Sequence, residues 1–296
     1  MGGVLQRLLE GRPVLLDGAW GTQLQERGLP IGACPDAWNL EAPEKVEAVA
    51  RAYVEAGSAA ILTNTFGSNR YALERHGLAE RAADLARAGA AISLRAAGGR
   101  ASVIASIGPS GRMLAMGEVG EADLAEAFGE QARALREAGV EAAVVETMSD
   151  VAEAVIAVRA AVEAGLEVAA SMVYDAGRNG DRTMMGQTPE EAAEALAAAG
   201  ALVIGTNCGK GAEQMLPICR RLRSATSLPL WVKPNAGLPE LVDGRAVYRT
   251  GPAEWTRRMR AIVEAGADLV GGCCGTTPAH VAALAADLRG AGDVSR

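Results

Sequence analysis

One phrase recurs five times along the chain and constrains the fold more than any other feature. It reads EAGSAAILTNTF at 55–66, EAGVEAAVVETM at 137–148, EAGLEVAASMVY at 163–174, AAGALVIGTNC at 198–208 and EAGADLVGGCC at 264–274. Each time an Ala/Glu/Arg-rich helical pattern stops at a glycine, and a short apolar run follows at once. Glycine just past a helix end supplies the left-handed cap. A run of four to eight Val, Ile, Leu and Ala residues reads as a buried strand. Apolar strands alternating with helices mean a parallel sheet covered by helices. Counting every such run gives eight strands, at 14–18, 59–66, 102–109, 142–148, 167–175, 201–209, 229–237 and 268–275. Eight β/α units in 296 residues fit an α/β fold closed as a (β/α)8 TIM barrel, a single domain over 1–296. A doubly wound sheet is the alternative, weakened because no G-x-G-x-x-G follows the first strand.

Composition narrows the function classes. The chain is 49% hydrophobic and 22% charged, enough apolar residue for a core and too much for general disorder. With 29 Lys and Arg against 36 Asp and Glu the net charge is −7, and no basic cluster stands out, which argues against a nucleic-acid partner. No stretch reaches the roughly 18 uninterrupted apolar residues of a membrane span. The opening MGGVLQRLLEGR lacks the apolar core and cleavage site of a secretion signal, so a cytoplasmic setting is expected. In such a reducing compartment the five cysteines point to metal binding or catalysis rather than a disulfide framework. Two histidines are too few for mechanisms that need several imidazoles.

In an eight-fold barrel the chemistry is built at the C-terminal ends of the strands. Those ends read Asp17–Gly18, Asn64–Thr65–Phe66, Gly108–Pro109, Glu146–Thr147, Tyr174–Asp175, Asn207–Cys208, Asn235 and Cys273–Cys274. Strands 6 and 8 meet at the barrel mouth, which brings Cys208 within reach of Cys273 and Cys274. Three thiolates suit a zinc ion that keeps one position open. Consecutive strand residues face opposite ways, so Cys273 and Cys274 converge only if the chain leaves strand geometry there. Gly271, Gly272 and Gly275 allow it. The plainer reading is three buried structural cysteines. An ion held by three thiolates is electron-rich, a poor activator of water and a good holder of a substrate thiol.

The remaining candidates carry less. Cys34 and Cys219 read as bystanders. His280 follows Thr277 and Pro278 at the start of the last helix and reads as a first-turn surface residue. His76 lies near a helix end, a structural place for a cation. Glu146 closes an apolar strand, so its carboxylate needs a cationic partner, a substrate ammonium or a Lys or Arg from a neighbouring strand. Lys233 on strand 7 keeps open a phosphate-binding barrel aldolase working through a Schiff base. Residues 28–43 and 176–191 read as long loops rather than helix, candidate lids or donor-binding loops.

The motifs LLDGAWGTQL (15–24), TNTFGSNRYALERHGL (63–78), VETM (145–148), TNCG (206–209), KPNAGLP (233–239) and GGCCGTTPAHV (271–281) together resemble the homocysteine S-methyltransferase family over nearly the whole chain. The wording is most similar to the homocysteine-binding module of cobalamin-dependent methionine synthases. The resemblance implies zinc-dependent methyl transfer to the thiol of homocysteine, giving methionine. It implies Zn2+ on Cys208, Cys273 and Cys274. Glu146 and the turn at Asp17 and Gly18 would hold the amino and carboxyl groups, with help near Ser106, and Asn235 would approach the open metal position. The folate, cobalamin and reactivation modules of methionine synthase have no counterpart in these 296 residues. The methyl donor is then expected to be a corrinoid or folate partner protein, with cobalamin acting in trans, or a small molecule such as betaine or S-methylmethionine, unless the chain is a fragment of a longer polypeptide. A non-catalytic zinc- and thiol-binding module is the remaining alternative.

Overall fold

The five recurring phrases each close a helix and open a strand in the same way. Their glycines, Gly57, Gly139, Gly165, Gly200 and Gly266, take φ from 83° to 105°. After Val151–Glu163, for example, Gly165 N–H donates to Val162 O and Leu166 N–H to Ala161 O, the paired bonds that satisfy the last free carbonyls of a helix. A side chain at that φ is strained, which is why the phrase keeps glycine.

In the computed structural model, which describes residues 2–242 and 245–293, the apolar runs become strands of one sheet. These are β1 (Val14–Leu15), β2 (Ala60–Leu62), β3 (Ser102–Ile107), β4 (Ala142–Met148), β5 (Glu167–Met172), β6 (Val203–Cys208) and β7 (Leu230–Pro234). An antiparallel hairpin of β8 (Pro239–Val242) and β9 (Arg245–Tyr248) follows, and then β10 (Leu269–Val270) completes the eight. All eight run parallel in the order β1-β10-β7-β6-β5-β4-β3-β2. At the seam β1 and β2 share one backbone bond, Ala59 N–H to Leu15 O at 2.8 Å. The Asp17 carboxylate adds a second link by accepting Leu62 N–H at 2.7 Å. This is a (β/α)8 barrel closed but for that seam.

Strand alternation divides the core in two. Val14, Leu16, Leu62, Ile104, Val144, Val203 and Trp231 fill the barrel interior, where Leu5 of the first helix plugs the N-terminal end. Val145, Ala170, Ile204 and Val232 face outward onto the helices. At Gly205 a Cβ would lie 2.0 Å from the backbone oxygen of Trp231, so the close approach of β7 to β6 there needs a residue without a side chain.

The strands are shorter than the apolar runs that announce them. β2 covers three residues of 59–66 and β10 two of 268–275, because the rest of each run bends away to line the mouth. The segment 28–43, expected to be without helix, holds a 3-10 turn at Pro35–Ala37 and a short helix at Trp38–Glu41. Asn39 explains this: its amide donates to Asn64 O and Leu85 O, fixing the segment against β2's loop and the helix beneath. The hairpin β8–β9 had no sequence expectation. Among the described residues no helix is long and apolar enough to cross a membrane.

Candidate active site

Cys208 closes β6 in the left-handed region, at φ 68°, where only the surrounding structure can hold a residue with a side chain. Cys273 and Cys274 lie beyond the end of β10, so they are not bound to strand alternation. Three backbone bonds pin them to neighbouring strands. Cys273 N–H donates to Pro234 O at 2.9 Å, Ala236 N–H to Cys274 O at 3.0 Å, and Asn235 N–H to Cys208 O at 3.2 Å. The three sulfurs lie within 4.8 Å of one another, the one such group of metal-ligating side chains among the described residues. Tyr248 of the hairpin packs on Gly275, whose absent Cβ would sit 2.1 Å from its Cγ.

Protons are shared unequally in this cluster. Cys208 accepts hydrogen bonds from Cys273 and Cys274 and is held at about 3, far below an ordinary thiol. Cys273 is pushed up to about 11, foremost by that bond to Cys208, and Cys274 is pushed up as well. Three thiols that already stabilise thiolate character are the donor set a zinc ion takes. Asn235 sits against them with Nδ2 donating to Gly209 O at 2.6 Å, while its Oδ1 is buried without a partner among the described residues. Such an orphaned acceptor beside three thiols fits a cation. Cys34 and Cys219 lie apart. Cys219 is buried in the helix Ala212–Ala225, where desolvation pushes it up to about 11, and Cys34 is raised by burial too.

Beside the thiols lie two buried carboxylates and one buried ammonium. Glu146 Oε1 accepts from Ser106 Oγ at 2.6 Å. Burial pushes its carboxyl up to about 7, against the pull of the Lys233 ammonium. Lys233, 2% exposed, donates Nζ–H to Asp17 Oδ1 at 2.5 Å. Burial alone would lower its pKa; Asp17 and Glu146 outweigh that and raise it. An amine kept protonated is no Schiff-base nucleophile, which removes the aldolase alternative on chemical grounds. Both oxygens of Asp17 are engaged by the chain, Oδ2 with Leu62 N–H and with Trp20 Nε1–H at 2.8 Å. Gly18 beside it is required by packing, since a Cβ would lie 2.8 Å from Tyr53 Oη and Thr276 Oγ1. Of Glu146's two candidate partners, a cation of the chain acts on it electrostatically, but it is Lys233 of β7, not a strand next to β4, and its one hydrogen bond goes to Asp17.

Gly18, Ser106, Glu146, Lys233 and all three clustered cysteines line one cavity of about 900 Å³ that opens at the mouth, while Asp17 and Asn235, also expected at the site, are buried behind its lining. Among the aromatic residues, Trp20 and Phe66 line the cavity. Trp231 is sealed in the barrel interior and Tyr174 is buried in the outer core. Tyr71, a helix residue that no motif singles out, lines the cavity as well. His280 is not a surface residue: it is buried, donates through Nε2 to Thr250 O at 2.9 Å, and meets Trp255 edge-on at 5.7 Å. The chain following the hairpin folds over it, which local sequence at a helix start does not foretell. His76 lines the outer cavity, with its Nε2 accepting from Arg75 Nε at 3.0 Å. Asn207, read only as a strand-end residue, proves to be fully buried at the centre of the site's hydrogen bonds.

The fold and the site together define a (β/α)8 barrel with a three-thiol centre at its mouth. The homocysteine S-methyltransferase family model matches residues 14–288, and the chain belongs to that family. It is similar to the methionine synthase of Mycobacterium tuberculosis, 34% identical over 94% of this chain and 25% of that protein. With the methionine synthase of Mycobacterium leprae the figures are 32%, 95% and 25%. The chain thus spans about a quarter of the length of these relatives. Among solved structures, the metallated form of the homocysteine methyltransferase MmuM from Escherichia coli superposes with a TM-score of 0.80 at 24% identity, over 96% of this chain and 99% of that one. That likeness concerns the fold.

Proposed function

We propose that the protein transfers a methyl group to the sulfur of homocysteine, giving methionine, with a zinc ion on Cys208, Cys273 and Cys274. One observation carries this reading: three sulfurs within 4.8 Å of one another share a cavity with a buried carboxylate, Glu146. That pairing matches the two ends of an amino-acid thiol. Zinc, when bound, supplies a Lewis acid that keeps the substrate sulfur as thiolate at neutral pH. Glu146 receives the ammonium, and Ser106 Oγ–H holds its Oε1 in place. Asp17, tied to Lys233, keeps the seam shut beside the backbone of Gly18, where the substrate carboxylate rests. Asn235, whose Oδ1 is buried without a partner among the described residues, would approach the open metal position. The reacting sulfur forms its bond to the methyl carbon as the donor departs with the electron pair of the broken bond. The barrel's task is orientation, and no base on the sulfur is required.

For the donor we infer a corrinoid, free or on a partner protein, with a folate protein as the related possibility. The cavity, about 900 Å³, far exceeds what homocysteine fills. Phe66, Met113, Met116, Met184, Leu238 and Leu241, all on strand-to-helix loops, are exposed. The aromatic lining by Trp20, Phe66 and Tyr71 favours, as second reading, betaine or S-methylmethionine. Free thiols at the centre suit a reducing compartment, the cytoplasm. The test is metal analysis of the purified chain, then homocysteine calorimetry with and without chelator. A single zinc per chain and chelator-sensitive binding are expected; binding that survives complete metal removal would overturn the reading.

A further inference from the structure

Thr147 is the other residue with a side chain in the left-handed region, at φ 61°, and it directly follows Glu146. The β4–β5 register shifts between Val145 and Met148, so the strand is bulged at this point. Strand alternation would turn Thr147 outward and Met148 inward. Instead Met148 stays in the outer core and Thr147 lines the cavity. A β-branched residue does not hold such a conformation unaided.

One side chain holds it. Asn207 Oδ1 accepts Thr147 N–H at 2.9 Å and Ser171 Oγ–H at 2.7 Å, and Asn207 Nδ2 donates to Thr147 Oγ1 at 2.7 Å. The backbone N–H only donates, so the atom facing it is the amide oxygen, which fixes the orientation of the group. The second hydrogen on Nδ2 is left for two long contacts, Glu146 Oε2 at 3.5 Å and Cys273 Sγ at 3.9 Å. Asn207 itself is completely buried. It therefore touches the strained turn, the carboxylate and the thiol cluster at once.

We propose that Asn207 is a positioning residue for homocysteine: by clamping the left-handed turn at Thr147 it aims the Glu146 carboxylate at the substrate ammonium. The proposal rests on the reading of Glu146 as the ammonium site. Its effect lies in substrate affinity rather than in metal retention, since the three sulfurs have their own backbone anchors.

The test is homocysteine calorimetry on the zinc-loaded full chain, with metal content measured for each variant. Asn207→Ala is expected to weaken binding at least about tenfold, the loss of one or two net hydrogen bonds, while keeping its zinc. Adding Thr147→Gly to that variant is expected to recover about threefold or more, because glycine adopts the turn without a clamp. A residue that merely filled space would not be rescued by a change at position 147. Ser171→Ala, which removes only the hydroxyl orienting the amide, is expected to cost about two- to fivefold and decides the matter if Asn207→Ala does not fold. In a cobalt-substituted Asn207→Ala chain, saturating homocysteine should still shift the metal's absorption. Affinities of Asn207→Ala and Ser171→Ala within about twofold of wild type overturn the proposal, as does loss of zinc from Asn207→Ala, which would move the residue's role to the thiols. Failure of the wild-type chain to bind homocysteine would instead overturn the reading of the site, and this proposal with it.

Discussion

Each sulfur of the cluster is delivered by backbone that has left regular geometry, Cys208 at φ 68° and Cys273 and Cys274 past the last ladder of β10. None is needed for the barrel's two cores. Cys208→Ala, Cys273→Ala and Cys274→Ala are therefore each expected to abolish tight zinc binding and methyl transfer with the barrel still folded. Cys34→Ala and Cys219→Ala should keep the metal. Zinc analysis beside circular dichroism checks both halves, and full zinc occupancy in any of the first three variants refutes the ligand set. Glu146→Gln tests the other end of the substrate. It should weaken homocysteine binding by about 1.5–3 kcal/mol, the range for a hydrogen bond to a charged group, without loss of zinc. A homocysteine analogue lacking the amino group should bind wild type and variant alike; continued discrimination would place the ammonium elsewhere. These residues were legible because the signals are local. A Gly-Gly-Cys-Cys-Gly run after an apolar strand announces both thiols and the freedom to converge, and a glutamate ending AAVVE has no innocent place. Asn207 and the Asp17–Lys233 pair were not legible in their roles. What they do depends on partners 60 and 216 residues away, and nothing beside them in the chain names those partners.

Elements follow the same division. Helices and strands were readable from the glycine caps and apolar runs. The hairpin β8–β9 was not, because its strands are exposed and lack apolar alternation. What it does is clear only in three dimensions: it lays Tyr248 on Gly275, between the cysteine pair and Thr276. Gly275→Ala should therefore displace the hairpin and lower zinc affinity, and Tyr248→Ala should relieve part of that loss. Additive effects of the two changes on zinc affinity would show that the hairpin does not press on the metal loop. A second inter-loop tie makes a pH prediction. Asp36, in the loop after β1, accepts Gly67 N–H at 3.1 Å and Ser68 Oγ–H at 2.6 Å, both on Oδ1. Burial nevertheless raises its carboxyl from 3.8 to about 6. Between those values the folded chain holds a proton that the unfolded chain has lost. This group therefore favours the fold at low pH, and its contribution falls as pH rises through the window, by about 3 kcal/mol in all. An asparagine oxygen accepts the same two bonds without the charge. Asp36→Asn should thus raise the thermal midpoint at pH 7.5 by several degrees and change it little at pH 4, if the chain remains folded there. An equal shift at both pH values would show that the carboxyl is not the cause.

At the scale of the whole molecule, the barrel gathers the three thiols and Glu146 in one cavity at its mouth, and the mouth bears on the proposed donor. A metal on the thiols would not select it, because a substrate thiolate there would attack any activated methyl that reaches it. A quaternary ammonium or sulfonium donor calls for a cage of free aromatic faces. Three aromatic residues line the cavity, and the face of one is already taken. The face of Tyr71 carries the Arg112 guanidinium at 5.8 Å, whereas Trp20 is held at its edge, through Nε1 to Asp17. Phe66 is packed so closely on Gly108 that a Cβ there would lie 2.5 Å from its ring. Two rings, one of them pressed on the backbone, fall short of a cage. Outside the cavity lining, Ile31, Met113, Met116, Met184, Leu238 and Leu241 are exposed on the segments that follow β1, β3, β5 and β7, on the same end of the barrel. Exposed methionines and leucines around an opening suit a broad, adaptable contact such as a corrinoid face or the protein that carries it. Methylcobalamin is accordingly expected to serve as donor, and betaine is not. The measurement is methionine formed by the zinc-loaded chain with homocysteine and each donor in turn. Replacing Met113 and Met116 together by glutamine should slow the methylcobalamin reaction several-fold at subsaturating donor, while homocysteine affinity stays unchanged because neither side chain lines the cavity that holds the thiols. Turnover with betaine or S-methylmethionine and none with methylcobalamin would reverse the choice of donor while leaving the thiol centre and its chemistry as described.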